Sequence, residues 1–215
     1  MRQLKFLAAT LLICTFSFGQ TIKIQTGVSV SNLDWKDIYD DWSYNDNNLI
    51  GLPIFIGVDY LEKKYFSLSS NIGLLRKGGS ITKFVPDELR NLHEGGLYED
   101  PVSAYPFHDL TTVANIDYLS FNTTCDFNYP LKNNVTPFIG LGPRIDLLLD
   151  NVDIYNKCSY GLLFGGGLKY NMKKIQVGLR FDYYLNLNDI YKTELNGTLS
   201  DKTFTTNLII GYRLK

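Results

Sequence analysis

The connections between apolar stretches constrain this chain most, because they alternate between long and short along nearly its whole length. Eight stretches of alternating apolar and polar residues run from Ile22 to Leu214. Three connections are tight, at 61–64, 130–134 and 172–174. The other four are long, at 32–49, 78–115, 148–159 and 188–203. This alternation predicts an all-β fold, an eight-stranded antiparallel up-and-down transmembrane β-barrel with long external loops.

The predicted strands are long for a soluble protein. They cover residues 22–31, 50–60, 65–77, 116–129, 135–147, 160–171, 175–187 and 204–214. A tilted transmembrane strand needs about 9 to 11 residues, whereas a strand of a soluble protein usually has about five or six. Strand length therefore favours a membrane barrel. An even number of strands also lets the sheet close and leaves no unpaired edge in the bilayer.

One predicted strand contains residues that disturb a β-ladder. Pro137 and Pro143 lie in the stretch 135–147, and neither has a backbone N–H to donate. Gly140 and Gly142 stand between them. Because proline and glycine inside a strand mark irregular positions, we predict a bulge or bend there.

The first twenty residues are typical of a targeting segment. Arg2 and Lys5 give it a basic start, and residues 6–13 form a short apolar core. The segment is too short to cross a bilayer as a helix. We therefore predict a secretory signal peptide at 1–20 and one barrel domain at 21–215.

The short turns and both chain ends fall on the same side of the predicted barrel, because the number of strands is even. Outer-membrane barrels have short periplasmic turns and longer external loops. The sequence therefore predicts the cell outer membrane as the location, with both termini in the periplasm.

Three cysteines raise separate questions. Cys14 leaves open a lipoprotein leader, although Ile13 stands where a small residue is needed. Cys125 and Cys158 invite a disulfide in an exported protein. The predicted topology places Cys125 near the inner end of one strand and Cys158 near the outer end of another, so we predict no intramolecular disulfide.

The composition of the chain limits the classes of partner that it can bind. The chain has 21 basic and 22 acidic residues, and two of the basic ones lie in the predicted leader. A nucleic-acid partner would require a concentrated basic face, so we predict none. The 15 tyrosines and 13 phenylalanines suit the aromatic girdles of a membrane barrel, and equally an aromatic-rich soluble core.

Several short motifs occur in an order that resembles a known family. They are 73–79 (GLLRKGG), 115–120 (NIDYLS), 136–143 (TPFIGLGP), the glycine-rich stretch 160–169 and 208–213 (LIIGYR). Together they resemble the PorT-like outer-membrane β-barrel proteins of the Bacteroidetes over most of the chain after the leader. The resemblance implies an eight-stranded outer-membrane barrel without a catalytic motif, whose named member is associated with protein secretion and gliding. The ending 212–215 (YRLK) departs from the aromatic last residue usual in such barrels.

Charged residues alternate with the apolar rows. They are Lys23, Asp59, Asp126, Arg144, Asp146, Lys169, Arg180, Asp182 and Arg213. Such a set can form an ion path or proton relay, or a charge network that holds a narrow barrel shut. We favour the paired network, because an eight-stranded barrel is just wide enough for its own side chains and unpaired buried charge is costly. Several glycines would make room for long side chains: Gly140, Gly165, Gly167, Gly178 and Gly211.

The loop 78–115 holds the residues that could carry chemistry. They are Asp87, Glu88, His93, Glu94, Glu99, Asp100, Ser103, His108 and Asp109. A hydrolase needs serine, histidine and carboxylate together, and a metal site needs ligands at fixed spacing. These residues match neither pattern. We therefore predict no enzyme activity, no catalytic residues, no metal site and no cofactor, with lipid chemistry by Ser103 and His108 at the external rim as the alternative.

Two long loops also offer contact surfaces. Residues 86–93 predict a short helix whose Leu89 and Leu92 pack over the barrel mouth, either as a docking element or only to order the loop. The loop 32–49 mixes aromatic and acidic residues: Asp34, Trp35, Asp37, Tyr39, Asp40, Asp41, Trp42, Tyr44 and Asp46. They suit protein contact, an aromatic belt at the headgroups, or divalent cations bridging to lipopolysaccharide phosphates.

These observations predict an outer-membrane barrel with a structural or protein-interaction role at the cell surface or in a secretion complex. Its predicted partners are outer-membrane lipid and lipopolysaccharide, and proteins that bind the loops 32–49 and 78–115. The alternatives are an outer-membrane enzyme that acts on lipid and a soluble, lipocalin-like ligand-binding barrel.

Overall fold

A computed structural model describes residues 21–36, 44–83, 110–150, 156–188, 190 and 198–214. This part of the chain forms antiparallel strands that follow one another around a ring. The strands are β1 (Thr21–Lys36), β2 (Tyr44–Gly51), β3 (Ile54–Glu62), β4 (Phe66–Lys83), β5 (Leu110–Asn128), β6 (Val135–Leu148), β7 (Cys158–Asn171), β8 (Ile175–Asn186) and β9 (Thr198–Arg213). Among these residues, no helix is long and apolar enough to cross a membrane.

The sheet closes on itself through its first and last strands. β1 pairs with β9 without interruption from Thr21↔Arg213 to Lys36↔Thr198. β2 and β3 both pair with β1 and β4, so they are two halves of one strand interrupted at Leu52 and Pro53. Pro53 has no N–H for the ladder, which accounts for the break. The nine hydrogen-bonded segments therefore make eight barrel strands, which confirms the predicted fold class.

The barrel has apolar side chains on its outer face and polar side chains inside, which is the opposite of the distribution in a soluble protein. Along β8, Leu179, Phe181 and Tyr183 point outward and are about 40 % exposed, whereas Arg180 and Asp182 are buried inside. The other strands repeat this alternation, and Ile139 on β6 is 70 % exposed. A water-soluble barrel would bury its apolar rows, but a membrane barrel turns them to lipid. The outer surface is therefore lipid-facing.

The strands reach further than their hydropathy predicted. β4 continues to Lys83 and β5 begins at Leu110, so only residues 84–109 separate them instead of the predicted 78–115. β1, β2 and β9 also extend into the predicted loops. The predicted strand 50–60 was wrong in being continuous, because Pro53 divides it and β2 begins earlier, at Tyr44.

The bulge predicted in the strand 135–147 was also wrong. β6 keeps one register with β7 from Val135↔Tyr170 to Leu147↔Cys158, and its register with β5 is the same before and after Pro143. Pro143 therefore interrupts the pairing with β5 at residues 142 and 143 without changing the register. A one-residue shift would have turned every inward side chain of the strand outward. The register shift lies instead in β3, between Asp59 and Leu61.

The three short turns are as predicted. Each is closed by a backbone hydrogen bond: Lys63 N–H to Phe66, Leu131 N–H to Val135, and Met172 N–H to Ile175. We call this side of the barrel the short-turn end and the opposite side the long-loop end. Cys125 lies near the short-turn end of β5 and Cys158 begins β7 at the long-loop end, and both are free thiols.

Candidate functional site

The barrel interior contains a group of ion pairs near the short-turn end, which we call the inner cluster. It consists of Lys23, Asp59, Asp126, Lys169, Arg180 and Asp182, all buried. Arg180 lies at its centre, with Nη1 3.0 Å from Asp126 Oδ1 and Nε 2.6 Å from Asp182 Oδ1. Lys169 Nζ is 3.2 Å from Asp126 Oδ2, and Lys23 Nζ is 2.5 Å from Asp59 Oδ1. The inner cluster therefore balances three cations with three carboxylates.

Two glycines make room for this arrangement. The register places Asp126, Gly140, Gly165 and Asp182 side by side on β5, β6, β7 and β8. A Cβ on Gly140 would lie 2.1 Å from Asp126 Oδ1, and one on Gly165 would lie 1.9 Å from Asp182 Oδ1. The bare backbone between the two acids leaves the space that the Arg180 guanidinium spans.

A second group of ion pairs, the outer cluster, lies towards the long-loop end. It consists of Lys77, Arg144, Asp146 and Asp201, all buried. Lys77 Nζ is 2.7 Å from Asp146 Oδ2 and 3.1 Å from Asp201 Oδ2. Arg144 Nε is 3.4 Å from Asp146 Oδ2. Two cations again face two carboxylates, so both clusters are neutral as groups.

An apolar layer separates the two clusters. Phe55, Leu75, Leu163 and Tyr184 pack together inside the barrel, each at most 2 % exposed. Tyr184 follows Asp182 by two residues on β8, and Leu75 precedes Lys77 by two on β4, which places the layer between the clusters. The Arg144 guanidinium lies 4.7 Å from the centre of the Tyr184 ring and so closes the layer on its outer side.

Neutral side chains fill much of the remaining interior. Gln25 Nε2 donates to Asn71 Oδ1 at 2.8 Å, and Asn71 Nδ2 donates to Asn122 Oδ1 at 2.7 Å. This chain of amides passes over Gly57 on β3, where a Cβ would lie 2.0 Å from Asn71 Oδ1. Such a hydrogen-bonded interior compensates the polar groups for the water they have lost.

A cavity of about 210 Å³ opens at the short-turn end, below the inner cluster. Its walls come from the ends of seven strands and from two of the tight turns. They are formed by Asp59, Glu62, Lys63, Lys64, Ser67, Asn128, Pro130, Thr136, Lys169, Asn171, Gln176 and Arg213. Arg213 Nη2 lies 3.3 Å from Glu62 Oε2 at the mouth.

One ion pair lies on the outer surface beyond the lipid-facing band. Arg76 follows the outward row that ends at Leu74 on β4, and it makes two hydrogen bonds of 2.7 and 2.8 Å to Asp117 on β5. The bond from Arg76 holds the pKa of the Asp117 carboxyl below its ordinary value. Both side chains are about half exposed, at 51 % and 42 %, so solvent weakens this pair.

The structure brings together eight of the nine predicted interior charges in the two clusters. Arg213 lies instead at the mouth of the cavity, where it pairs with Glu62. Sequence reasoning missed Lys77, at the very end of a predicted strand, and Asp201, in a predicted loop. The signal that could have found them is the period of two, continued past the last apolar residue of each outward row.

Other predicted residues lie outside the described part of the chain. These are the signal peptide 1–20, the helix 86–93 and the loop residues Asp37, Tyr39, Asp40, Asp41, Trp42, Asp87, Glu88, His93, Glu94, Glu99, Asp100, Ser103, His108 and Asp109. Asp34, Trp35, Tyr44 and Asp46 lie within β1 and β2. Among the described side chains, no three histidine, cysteine, aspartate or glutamate residues gather in a geometry that could hold a metal ion.

No protein-family model matches the chain, and no curated protein matches it. Among solved structures, the outer membrane protein OprG from Pseudomonas aeruginosa is 12 % identical, with a TM-score of 0.55 over 92 % of this chain and 96 % of OprG. The chain has the fold of an outer-membrane β-barrel protein.

Two further solved structures are similar at lower scores. Neisserial surface protein A is 10 % identical, with a TM-score of 0.48 over 90 % of this chain and 97 % of that protein. Outer Membrane Protein W of E. coli is 12 % identical, with a TM-score of 0.45 over 92 % of this chain and 98 % of that protein.

Proposed function

We propose that this chain is a closed, non-conducting and non-catalytic barrel of the outer membrane, which supports external loops for a structural or protein-interaction role at the cell surface or in a secretion complex. In this proposal the segment 1–20 is a signal peptide that is removed on export. The short-turn end and both termini face the periplasm, and the loops 32–49 and 78–115 face outward to lipopolysaccharide and protein partners. The motif order supports a relationship to the PorT-like proteins.

One observation carries the proposal: the described interior contains two neutral charge clusters separated by the layer of Phe55, Leu75, Leu163 and Tyr184. An ion that crossed the barrel would have to separate buried pairs and pass an apolar layer. A proton relay would need titratable groups joined across the layer, but its members are apolar except for the Tyr184 hydroxyl. The interior therefore favours a structural role for the barrel over conduction of ions or protons.

Conductance tests the closed barrel. Purified protein is inserted into a planar lipid bilayer next to a porin of known conductance, which reports that insertion works. We expect no current steps from this protein at any applied voltage. Regular steps that scale with salt concentration would contradict the proposal.

Location and orientation have a separate test. Membrane fractions are run on a gel with and without boiling, and intact cells are treated with protease. We expect outer-membrane fractionation, a mobility shift on boiling, and cleavage confined to the residues between β1 and β2 (37–43) or between β4 and β5 (84–109). Cleavage in the turns 61–64 or 130–134 of intact cells would show that the barrel has the opposite orientation. A protein that stays soluble without detergent would contradict the proposed membrane location.

The proposed absence of catalysis is tested against the alternative that the protein is an enzyme acting on outer-membrane lipid. Cells that carry the wild-type chain, the Ser103→Ala/His108→Ala variant or no copy are compared by mass spectrometry of their lipid A. We expect three identical profiles. A lipid A species that needs the wild-type chain and disappears with the double variant would establish the enzyme instead.

A further inference from the structure

The short-turn end of the barrel concentrates positive charge on its surface. The segments between β3 and β4, between β5 and β6, and between β7 and β8 contain no acidic residue. Their lysines are all exposed, and we call them the basic rim: Lys63, Lys64, Lys132, Lys173 and Lys174. Among the described residues, no carboxylate pairs with the last four of them, and Glu62 at the end of β3 is already paired with Arg213. The charge of the basic rim is therefore not balanced within the described part of the protein.

The connections at the long-loop end have the opposite charge in the sequence. Between β1 and β2, residues 37–43 include acidic but no basic residues: Asp37, Asp40 and Asp41. Between β4 and β5, residues 84–109 have Arg90 as their basic residue against a larger acidic set: Asp87, Glu88, Glu94, Glu99, Asp100 and Asp109. The chain as a whole has a formal net charge of only -1. The basic rim is therefore a property of one end of the barrel and does not reflect a basic protein.

Tyrosines beside the short turns mark the edge of the lipid-facing surface. Tyr129, Tyr170 and Tyr212 lie at this end of the outward rows of β5, β7 and β9, and all three are exposed. In membrane barrels, outward tyrosines of this kind lie at the level of the lipid headgroups. The basic rim follows directly in the chain, so it lies at the surface of the bilayer.

Apolar residues within the turns support this position. Leu131 and Met172 are exposed, and each is followed directly by a lysine of the basic rim, Lys132 or Lys173. An apolar residue next to a lysine suits a membrane surface, where the apolar side chain and the lysine stem meet acyl chains and the ammonium group meets phosphates. A rim that faced only water would gain nothing from the exposed leucine and methionine.

We propose that the basic rim binds the headgroups of anionic phospholipids and thereby selects the lipids around the short-turn end. The lipid phosphates supply the negative charge that the described residues do not. A zwitterionic headgroup has its own cation beside the phosphate and binds more weakly. Because the binding takes place in a bilayer, it rests on the proposed membrane location, and the proposed orientation makes the periplasmic leaflet the source of the lipid. One lysine near an anionic membrane surface contributes about fivefold in affinity.

The test measures the lipid composition at each end of the barrel with a tryptophan that brominated lipid quenches. Trp35 and Trp42 are replaced by phenylalanine, and an exposed outward tyrosine is replaced by tryptophan: Tyr129→Trp at the short-turn end or Tyr160→Trp at the long-loop end. Each protein is reconstituted into vesicles of phosphatidylcholine with increasing amounts of brominated phosphatidylglycerol. We expect phosphatidylglycerol to be preferred over phosphatidylcholine by at least about fivefold at position 129 and not at position 160. Equal preference at the two positions would overturn the proposal.

Two sets of variants assign the preference to the basic rim. One set removes three of its lysines, and the control set removes three exposed cations at the long-loop end. They are Lys132→Gln/Lys173→Gln/Lys174→Gln and Arg76→Gln/Lys157→Gln/Lys202→Gln. We expect the first set to abolish most of the preference at position 129 and the second to leave it unchanged. A preference that survives the first set, or falls equally with both, would contradict the proposal.

Salt provides a test on the unaltered rim, which does not depend on the folding of the lysine variants. Because salt screens exposed charges, we expect concentrated sodium chloride to reduce the preference at position 129, and a preference that is insensitive to salt would overturn the proposal. Failure of the proposed function would give a different result. A protein outside the bilayer would be quenched by neither lipid at either position, whereas a membrane barrel without selection would be quenched at both positions according to the bulk ratio. Both leaflets of these vesicles have the same composition, so the result is independent of orientation.

Discussion

Arg180 is the residue on which the inner cluster depends, because it contacts two buried carboxylates at once. Replacing it by methionine keeps most of the volume but leaves Asp182 without its cation. Removing one partner of a buried ion pair costs about 3–5 kcal/mol. We therefore expect Arg180→Met to lower the free energy of unfolding by about that amount, measured by urea denaturation in lipid vesicles and read on unboiled gels.

The control for this prediction removes the stranded charge. In Arg180→Met/Asp182→Asn the remaining Asp126 still has Lys169 at 3.2 Å, so we expect the double variant to recover much of the lost stability. If the single variant unfolds at the same urea concentration as the wild type, the ion pairs do not contribute to holding the barrel.

Adjacent residues on opposite faces give a second test at this scale. Lys77 is buried between two carboxylates, whereas Arg76 is half exposed beside Asp117. We expect Lys77→Ala to destabilise the barrel strongly, because it leaves two buried carboxylates without their cation. We expect Arg76→Ala to change the urea midpoint little, because solvent screens the surface pair of Arg76 and Asp117.

The surface pair of Arg76 and Asp117 also has a predictable pH dependence. The pKa of Asp117 is lowered in the folded barrel, so its small stabilisation is present above the carboxyl's ordinary pKa and is lost as the pH falls through the folded value. Acidification should therefore remove the difference between wild type and Arg76→Ala. A difference that grows at low pH would contradict this assignment.

At the scale of elements, the closure of the ring by β1 and β9 can be tested with cysteine pairs. Ile24 and Ile210 are register partners with outward side chains, whereas Ile24 and Leu208 are diagonal. Opposite Cβ atoms lie about 4.5–5.5 Å apart and diagonal ones about 7–8 Å, and a disulfide needs about 3.5–4.5 Å. We expect the Ile24→Cys/Ile210→Cys pair to oxidise much faster than Ile24→Cys/Leu208→Cys.

The background for this experiment is Cys125→Ser/Cys158→Ser, which removes the native thiols. Crosslinking is read as an altered gel mobility after boiling, because the first and last strands stay joined. Faster oxidation of the diagonal pair would show a different register at the closure.

The strands were predictable where one face meets lipid, because the bilayer forces an apolar residue at every second position. β8 is the clearest case, with Leu179, Phe181 and Tyr183 in one row. Beyond the lipid the backbone still pairs, but the outward residues are free to be polar. That is why the sequence predicts loops where β4 continues to Lys83 and where β9 begins at Thr198.

The interior was predictable in kind but not in pairing. The period of two indicates that Asp126 and Arg180 both point inward, but they stand on strands three apart around the ring. Their contact depends on the register of every strand between them and on the bare backbone at Gly140 and Gly165. A single sequence contains no direct record of that register.

At the scale of the whole molecule, the apolar layer should be what closes the barrel to ions. Phe55→Gly/Leu163→Gly would remove two of its four side chains, and Ile56→Gly/Phe164→Gly would remove their lipid-facing neighbours on the same strands. We expect the first variant to admit ions into vesicles that hold a chloride-sensitive dye and the second to stay as tight as the wild type. The physical reason is that a gap in the layer connects two charged clusters that are otherwise separated. If both variants remain tight while folded, the charge clusters themselves close the barrel, and if both leak equally, the change reflects a weakened wall and not an opened interior.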